Sequence, residues 1–508
     1  MQALTSGPML NAYPDSMGGR LEDIVVLLGD ELSGAFEDFY ILPSLFHSDL
    51  DRGFSVIDYD LDENYATAAD LEALKELGIG LKLDFVLNHQ SVQSKEFQDL
   101  VAMGDDSAYR DFFIEWNRFW EGRGEMGGEG YIVPDPELIK DMFFREPGLP
   151  ILMVDFPDGS RHPYWNTFYQ EKNVQPDGNV RYLGQMDVNV KSPLVWESYK
   201  STLGKLAQHG ARLVRLDAFA YASKEPGKRN FLNEPETWDI LERVQAIAEP
   251  LGLSLLPEIH ASYEERIFEQ IAGRGYMTYD FFTPGLIIHA IDAHAPDTLV
   301  GWANEVVDRK IRTVNMLGCH DGIPVLDLKG LLPDDEIQGL IDTIVARGGH
   351  VKDLHGQKNV YYQVNATYFS ALGEDEKKLL FARALQVFMP GKPQVWYLDL
   401  LAGTNDHEAV RRAGEGGHKE INRTNLGSGE IARRLSEQVV QDQLRLLRYR
   451  KSCPAFGFDS SLRAWHEGET AYFQWSNGSQ ATTLKADFRT YDFEIQDIGG
   501  VSPLPRGH

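Results

Sequence analysis

The chain has 508 residues, 43% apolar, 11% aromatic and 25% charged, with a formal net charge of −28; this composition excludes disorder and supports a large folded core with appended elements. The excess negative charge repels phosphate backbones and anionic lipid surfaces and no basic patch offsets it, so nucleic-acid and membrane partners are not expected. Two cysteines, Cys319 and Cys453, exclude a disulfide scaffold; with no basic-then-apolar leader and no apolar run near ~20 residues, a cytoplasmic location is expected.

In chain order, strand-like runs recur with amphipathic stretches between them. They are PMLNAY near residue 8, FEDFYILP ending at Pro43, LKLDFVLNH ending at His89 and ARLVRLDAF around Asp217. SLLPEIH with Glu258, YMTYDFF from Tyr276, IRTVNMLGCHD ending at Asp321 and KPQVWYLD from Lys392 complete the series. Helical segments such as ATAADLEALKELG separate them, which predicts an α/β fold: a parallel (β/α)8 barrel. A doubly wound sheet is the competing architecture, but no glycine fingerprint follows the first strand.

The alternation lapses between His89 and Arg212, too long for a simple loop, so residues 90–210 are expected to form an inserted lid subdomain between barrel segments 1–89 and 211–435. Its glycine-rich EGRGEMGGEG and its polar aromatic HPYWNTFYQEKNVQPDGNVRY look more lid-like than core-like. The remainder, 436–508, predicts a helix and a small antiparallel β domain, with a hairpin turn at Asn477-Gly478.

A (β/α)8 enzyme works at the carboxyl ends of its strands. There the sequence places Asp84, Asn88 and His89 on the third strand, Arg215 and Asp217 on the fourth, Glu258 and His260 on the fifth, and His320 and Asp321 on the seventh. Converging carboxylates suit glycoside chemistry: one attacks the anomeric carbon and another protonates the leaving oxygen, ~5 Å apart in a retaining enzyme. Taken singly, Asp217 reads equally as a buried acid paired with Arg215, His89 and His320 as satisfied core histidines, and Glu258 as a capping acid. Jointly they are harder to set aside, because unpaired buried charge is costly. The histidines show no metal-ligand spacing.

DFVLNH (84–89), RLDAFAY (215–221), LPEIH (256–260) and CHDG (319–322) resemble the four signature regions of the α-amylase family, glycoside hydrolase 13. YPDSMGG (13–19), DRGFSVIDYD (51–60), EPGLP (146–150), YYQVNATYFSALG (361–373), PGKPQVWYLDLLAGTND (390–406) and EINR (420–423) are similar to its sucrose-phosphorylase branch. The resemblance implies Asp217 as nucleophile, Glu258 as acid/base, and Asp321 as a third carboxylate gripping sugar hydroxyls. It further implies that Arg215 orients Asp217, that His89 and His320 bind glucosyl hydroxyls, and that Asp51 and Gln185 complete that subsite. Phe54 either stacks on the ring or simply packs. The expected partners are a small glucoside and inorganic phosphate, which resolves a covalent glucosyl-enzyme. No cofactor is expected; a homodimer is entertained, although the oligomeric state is unreadable from this sequence.

On the acceptor side the chain departs from that branch. Glu146 stands where an arginine precedes PGLP, with Arg145 one position earlier; Lys419 replaces a second arginine, and Val360 an aspartate. Fewer polar partners and a new glutamate argue against a large polyol or an anionic acceptor. The expected substrate is therefore 2-O-α-glucosylglycerol, with sucrose, glucosylglycerate or sucrose 6-phosphate phosphorolysis and glucoside hydrolysis as alternatives. Tyr221, His260, Gln363 and Lys419 are the candidates to touch phosphate or acceptor, although Lys419 and Arg145 read equally as solvated charges. A non-catalytic binding protein is the remaining class, disfavoured by the three intact acids.

Overall fold

The computed structural model of this protein describes residues 4–144, 148–168, 170–174, 180–353, 361–414, 417–478 and 480–498. Arg145, Glu146 and Val360 lie outside them.

All eight predicted runs form strands: β1 (Met9–Ala12), β2 (Asp38–Ile41), β3 (Gly80–Val86), β4 (Ala211–Asp217), β5 (Ser254–Pro257), β6 (Thr278–Asp280), β7 (Thr313–Met316) and β8 (Lys392–Trp396). Every ladder among them is parallel, in the order β5-β4-β3-β2-β1-β8-β7-β6, and β5 packs beside β6 at the seam. Because helices cover the outside and side chains fill the inside, the strands are buried on both faces; all seven residues of β3 are buried.

Register decides what the barrel presents at its carboxyl end. Arg215 lies opposite Asp84 on β3, and Leu216 opposite Pro257 on β5, so Asp217 and Glu258 leave adjacent strands at one level. Asp84 sits inside β3, whereas Asn88, His89, Glu258, His260, His320 and Asp321 follow the carboxyl ends of their strands.

The helix α1 (Pro193–Gln208), which falls within the stretch expected as insertion, packs on β3 and β4 through Val195, Tyr199, Leu203 and Leu206 and serves as the barrel helix between them. Ahead of it stand small antiparallel pairs, among them Gly124–Met126 with Ile132–Pro134 and Ile151–Asp155 with Arg161–Trp165. They enclose their own apolar cluster of Ile114, Trp116, Trp120, Ile132, Met142 and Trp165. Part of the supposedly lid-like aromatic stretch is therefore core: Tyr164 and Trp165 are buried, since an indole's apolar area outweighs its polar neighbours in sequence.

The helix α2 (Gln438–Ser452) packs against the barrel helix Glu376–Phe388. Beyond it β9 (Ser461–Glu467), β10 (Thr470–Asn477), β11 (Gln480–Asp487) and β12 (Phe493–Ile498) form an antiparallel sheet in sequential order. Alternation sets its inner face: Ala471, Phe473 and Trp475 on β10 are buried. Gly478, at φ +66°, follows Asn477 between β10 and β11, as the Asn-Gly pair predicts. No helix among the described residues is long and apolar enough to cross a membrane.

Candidate active site

A pocket of about 120 Å³ opens at the carboxyl end of the barrel. Its wall contains Asp217, Glu258, Asp321, Arg215, His89, His320 and Gln185, and also Asp51, Phe54, Tyr221, His260, Gln363 and Lys419. Residues far apart in sequence thus meet in one place.

Arg215, fully buried, is the hub. Its Nη1 donates to Asp84 Oδ1 at 2.7 Å and to Asp217 Oδ1 at 2.6 Å, and its Nη2 lies 3.0 Å from Glu258 Oε1. One buried guanidinium faces three carboxylates, and burial together with their mutual repulsion favours retention of a proton. Burial pushes the Asp217 carboxyl up to about 7, opposed only in part by Arg215. Burial raises Glu258 too, but Arg215 and His260 outweigh it and hold that carboxyl below the usual range. The two acids are best regarded as a pair sharing one proton.

Backbone strain supports this arrangement. Ala218, directly after Asp217, has φ +51°, unusual for a residue with a side chain, and its N–H donates to Glu258 Oε2 at 3.2 Å. Beneath the acids, Tyr40 Oη donates to Asp84 Oδ1 at 3.0 Å. Lys82, buried in the barrel axis, lies 3.7 Å from the centre of the Tyr40 ring and donates to Tyr279 Oη and Gln394 Oε1 at 2.5 and 2.7 Å.

His260 carries a second arm. Its Nε2 is 3.6 Å from Glu258 Oε1 and its Nδ1 is 3.2 Å from Asp327 Oδ2. Burial alone would lower its pKa, but these two carboxylates hold it up at about 9, so the ring carries charge at neutral pH. His89 is the reverse case: burial drives it down to about 4 and leaves it neutral. Its Nε2 and the Gln185 amide both lie against the Phe54 carbonyl, at 3.0 and 3.1 Å, while the Phe54 ring stacks on His320 at 5.0 Å. Phe54 lines the pocket and packs on His320. The turn before it needs Gly53, at φ +108°, where a Cβ would come within 2.0 Å of the Ser44 nitrogen.

Asp321 is the most heavily compensated acid. His320 Nε2 stands 3.2 Å from Oδ2, and Lys419 Nζ 2.5 Å and Arg423 Nη2 3.6 Å from Oδ1. Burial opposes its ionisation, yet these cations and the imidazole hold it well below the usual carboxylate range. Lys419 is thus drawn into the pocket and is not a solvated charge. Arg423, the last residue of EINR, also donates from Nε to the His320 carbonyl at 2.9 Å and lies 3.4 Å from Asp51 Oδ1. Its role escaped residue-by-residue reasoning, although the motif containing it was visible. Phe143, Phe168, Arg229, Phe231 and Glu265 are further wall residues that no sequence signal singled out. Among the described residues no group of three or more His, Cys, Asp or Glu is arranged to hold a metal ion.

A strand-end array of acids around a buried arginine defines a class: barrels that process glycosides. A family model described as the α-amylase catalytic domain matches residues 35–281. The chain is 54% identical over 504 residues to a sucrose 6(F)-phosphate phosphorylase of Ilumatobacter coccineus, covering 97% of this chain and 96% of that protein. It is 33% identical to a glucosylglycerol phosphorylase of Marinobacter adhaerens, covering 97% and 98%. The crystal structure of sucrose 6F-phosphate phosphorylase from Thermoanaerobacter thermosaccharolyticum superposes with a TM-score of 0.88 at 33% identity, covering 98% of this chain and 96% of that one. The chain belongs to the α-amylase family, in its branch of glucoside phosphorylases.

Proposed function

We propose that Asp217 takes a glucosyl unit from an α-glucoside and passes it to inorganic phosphate, giving α-glucose 1-phosphate, and that the substrate is sucrose 6F-phosphate, with fructose 6-phosphate as the leaving group. The observation that carries the chemistry is the contact of one buried guanidinium, Arg215, with both Asp217 and Glu258. In the first step the Asp217 carboxylate bonds to the anomeric carbon as the glycosidic bond breaks, and Glu258 delivers a proton to the departing oxygen. In the second, a phosphate oxygen attacks the same carbon, Glu258 takes back a proton, and the bond to Asp217 breaks. Two inversions retain the α configuration.

These roles require an ionised Asp217 and a protonated Glu258, the reverse of the pattern in the free site. A glycosidic oxygen accepts hydrogen bonds and donates none, so placing it beside Glu258 draws the shared proton there and leaves Asp217 charged. Arg215, bonded to Asp217 at 2.6 Å, stabilises that charge.

The leaving group is argued from kinship: 54% identity to a sucrose 6(F)-phosphate phosphorylase against 33% to a glucosylglycerol phosphorylase. The preference for 2-O-α-glucosylglycerol rested on Glu146 and Val360, outside the described residues, and on Lys419, which is engaged with Asp321. It stands second, because Glu146 and Val360 are the features that argue for a small neutral leaving group. A cytoplasmic setting suits Cys319 and Cys453, both free thiols.

Glucose 1-phosphate supplied with fructose 6-phosphate, fructose, glycerol or glycerate tests this through phosphate release. Turnover is expected to be fastest with fructose 6-phosphate. Fastest turnover with glycerol transfers the assignment to glucosylglycerol, and free glucose from α-glucosides with no phosphate release from any acceptor makes the enzyme a hydrolase.

A further inference from the structure

Among the described residues three cationic side chains of Lys or Arg line the pocket: Arg215, Lys419 and Arg229. The first two are committed to carboxylates at 2.5–3.0 Å. Arg229 is different. Its shortest ion pair, Nη1 to Glu265 Oε1, is 3.6 Å, and its side chain remains half exposed. The other Glu265 oxygen is occupied by the Ser262 N–H and hydroxyl, at 3.0 and 3.1 Å.

Among the described residues Arg229 is held by packing as well as by that long ion pair. Its guanidinium lies 5.2 Å from the centre of the Phe231 ring and 5.8 Å from that of Phe143. Aromatic contact of this kind positions a guanidinium while leaving N–H donors for another partner. The loop beneath it is firm: Phe143 N–H donates to the Arg229 carbonyl at 2.7 Å, Asn230 Oδ1 accepts from Glu225 N–H at 2.8 Å, and Asn233 Oδ1 accepts from Asn230 N–H at 3.0 Å. A half-exposed arginine at a pocket wall presents a fork of N–H donors that suits bidentate contact with a phosphate ester.

Its location identifies the side. Glu265, its partner, follows Glu258 and His260 in the segment beyond β5, the side on which a proton from Glu258 meets the leaving oxygen. We propose that Arg229 binds the phosphate ester of the leaving sugar and so determines that a phosphorylated ketose is taken in preference to the plain one. This rests on the acceptor reading given above.

The same chemistry fits inorganic phosphate, and the test separates the two. Arg229→Gln and Arg229→Lys are compared with wild type for phosphate release from glucose 1-phosphate with fructose 6-phosphate and with fructose, and for the KM of phosphate in phosphorolysis of plain sucrose. Expected for Arg229→Gln is a fall of about 10- to 100-fold in kcat/KM for fructose 6-phosphate, carried mainly by KM, with fructose changed less than about twofold and Arg229→Lys intermediate. An equal fall for both acceptors, or a raised KM for phosphate with plain sucrose, overturns the proposal. Hydrolysis of α-glucosyl fluoride at the wild-type rate certifies that the variants retain the donor site. Wild type without preference for fructose 6-phosphate sinks the acceptor reading and this proposal together; a preference that survives in Arg229→Gln sinks this proposal alone.

Discussion

The two walls of the pocket are built on different principles. The wall carrying Asp217, Arg215 and Asp321 stands at and just past the ends of barrel strands, and each acid has a close partner: Asp84, Asp217 and Glu258 have Arg215 at 2.6–3.0 Å, and Asp321 has Lys419 at 2.5 Å and His320 at 3.2 Å. The wall carrying Arg229 and Glu265 comes from connecting segments, and its ion pair is long, at 3.6 Å. A matched, buried network is preorganised and tolerates little change, whereas a loosely paired wall can be altered without disturbing the chemistry.

The contrast is broken or sharpened by graded substitutions. Asp217→Asn, the largest, is expected to lower turnover about 10⁴-fold or more with every acceptor alike. Its stability should move the other way. Because the folded pKa of Asp217 is raised to about 7, the stability of its protonated form is complete below ordinary carboxylate pKa values and is lost as pH rises through 7. Asparagine escapes that loss, so its Tm should exceed that of wild type at pH 8 and the gap should close towards pH 5. A Tm difference independent of pH contradicts the burial argument.

Glu258→Gln comes next, with a loss of about 10²- to 10⁴-fold for sugars with unactivated leaving groups. α-Glucosyl fluoride, which needs no proton to leave, should be much less affected; an equal loss on both substrates removes Glu258 from proton transfer. Wild-type kcat/KM should also decline about tenfold per pH unit above about 7, as the proton shared by Asp217 and Glu258 departs. A flat profile to pH 9 shows that the pair does not hold that proton.

Lys419→Met is the mildest. It removes one of two cations on Asp321 while Arg423 remains, so KM for glucose 1-phosphate should rise several-fold, on the order of 3- to 10-fold, by the loss of a charge-assisted contact. A change limited to fructose 6-phosphate would instead move Lys419 to the acceptor wall beside Arg229.

What sequence reasoning could reach follows this division. The acids, histidines and Arg215 stand at the ends of apolar strand runs, where local pattern reveals them, and the eight strands fall where those runs predicted. Arg229 lies in KEPGKRNF, which in one dimension reads as an ordinary polar loop. Helix α1 is hard to read from the sequence because a long interruption hides where the barrel resumes. Trp165 reads as surface because its sequence neighbours are polar, although Trp116 and Trp120 pack against it.

By itself the sequence determined the barrel, its parallel order of β and α units and the clustering of acids at strand ends, because strand periodicity and strand-end polarity are local properties of the chain. Only the tertiary structure decided that one guanidinium touches Asp84, Asp217 and Glu258, that Asp321 draws Lys419 and Arg423, and that Arg229 stands at the mouth on two aromatic rings. Those are electrostatic and packing relations between residues as many as 131 positions apart, and charge pairing depends on distance in space, which no spacing along the chain contains.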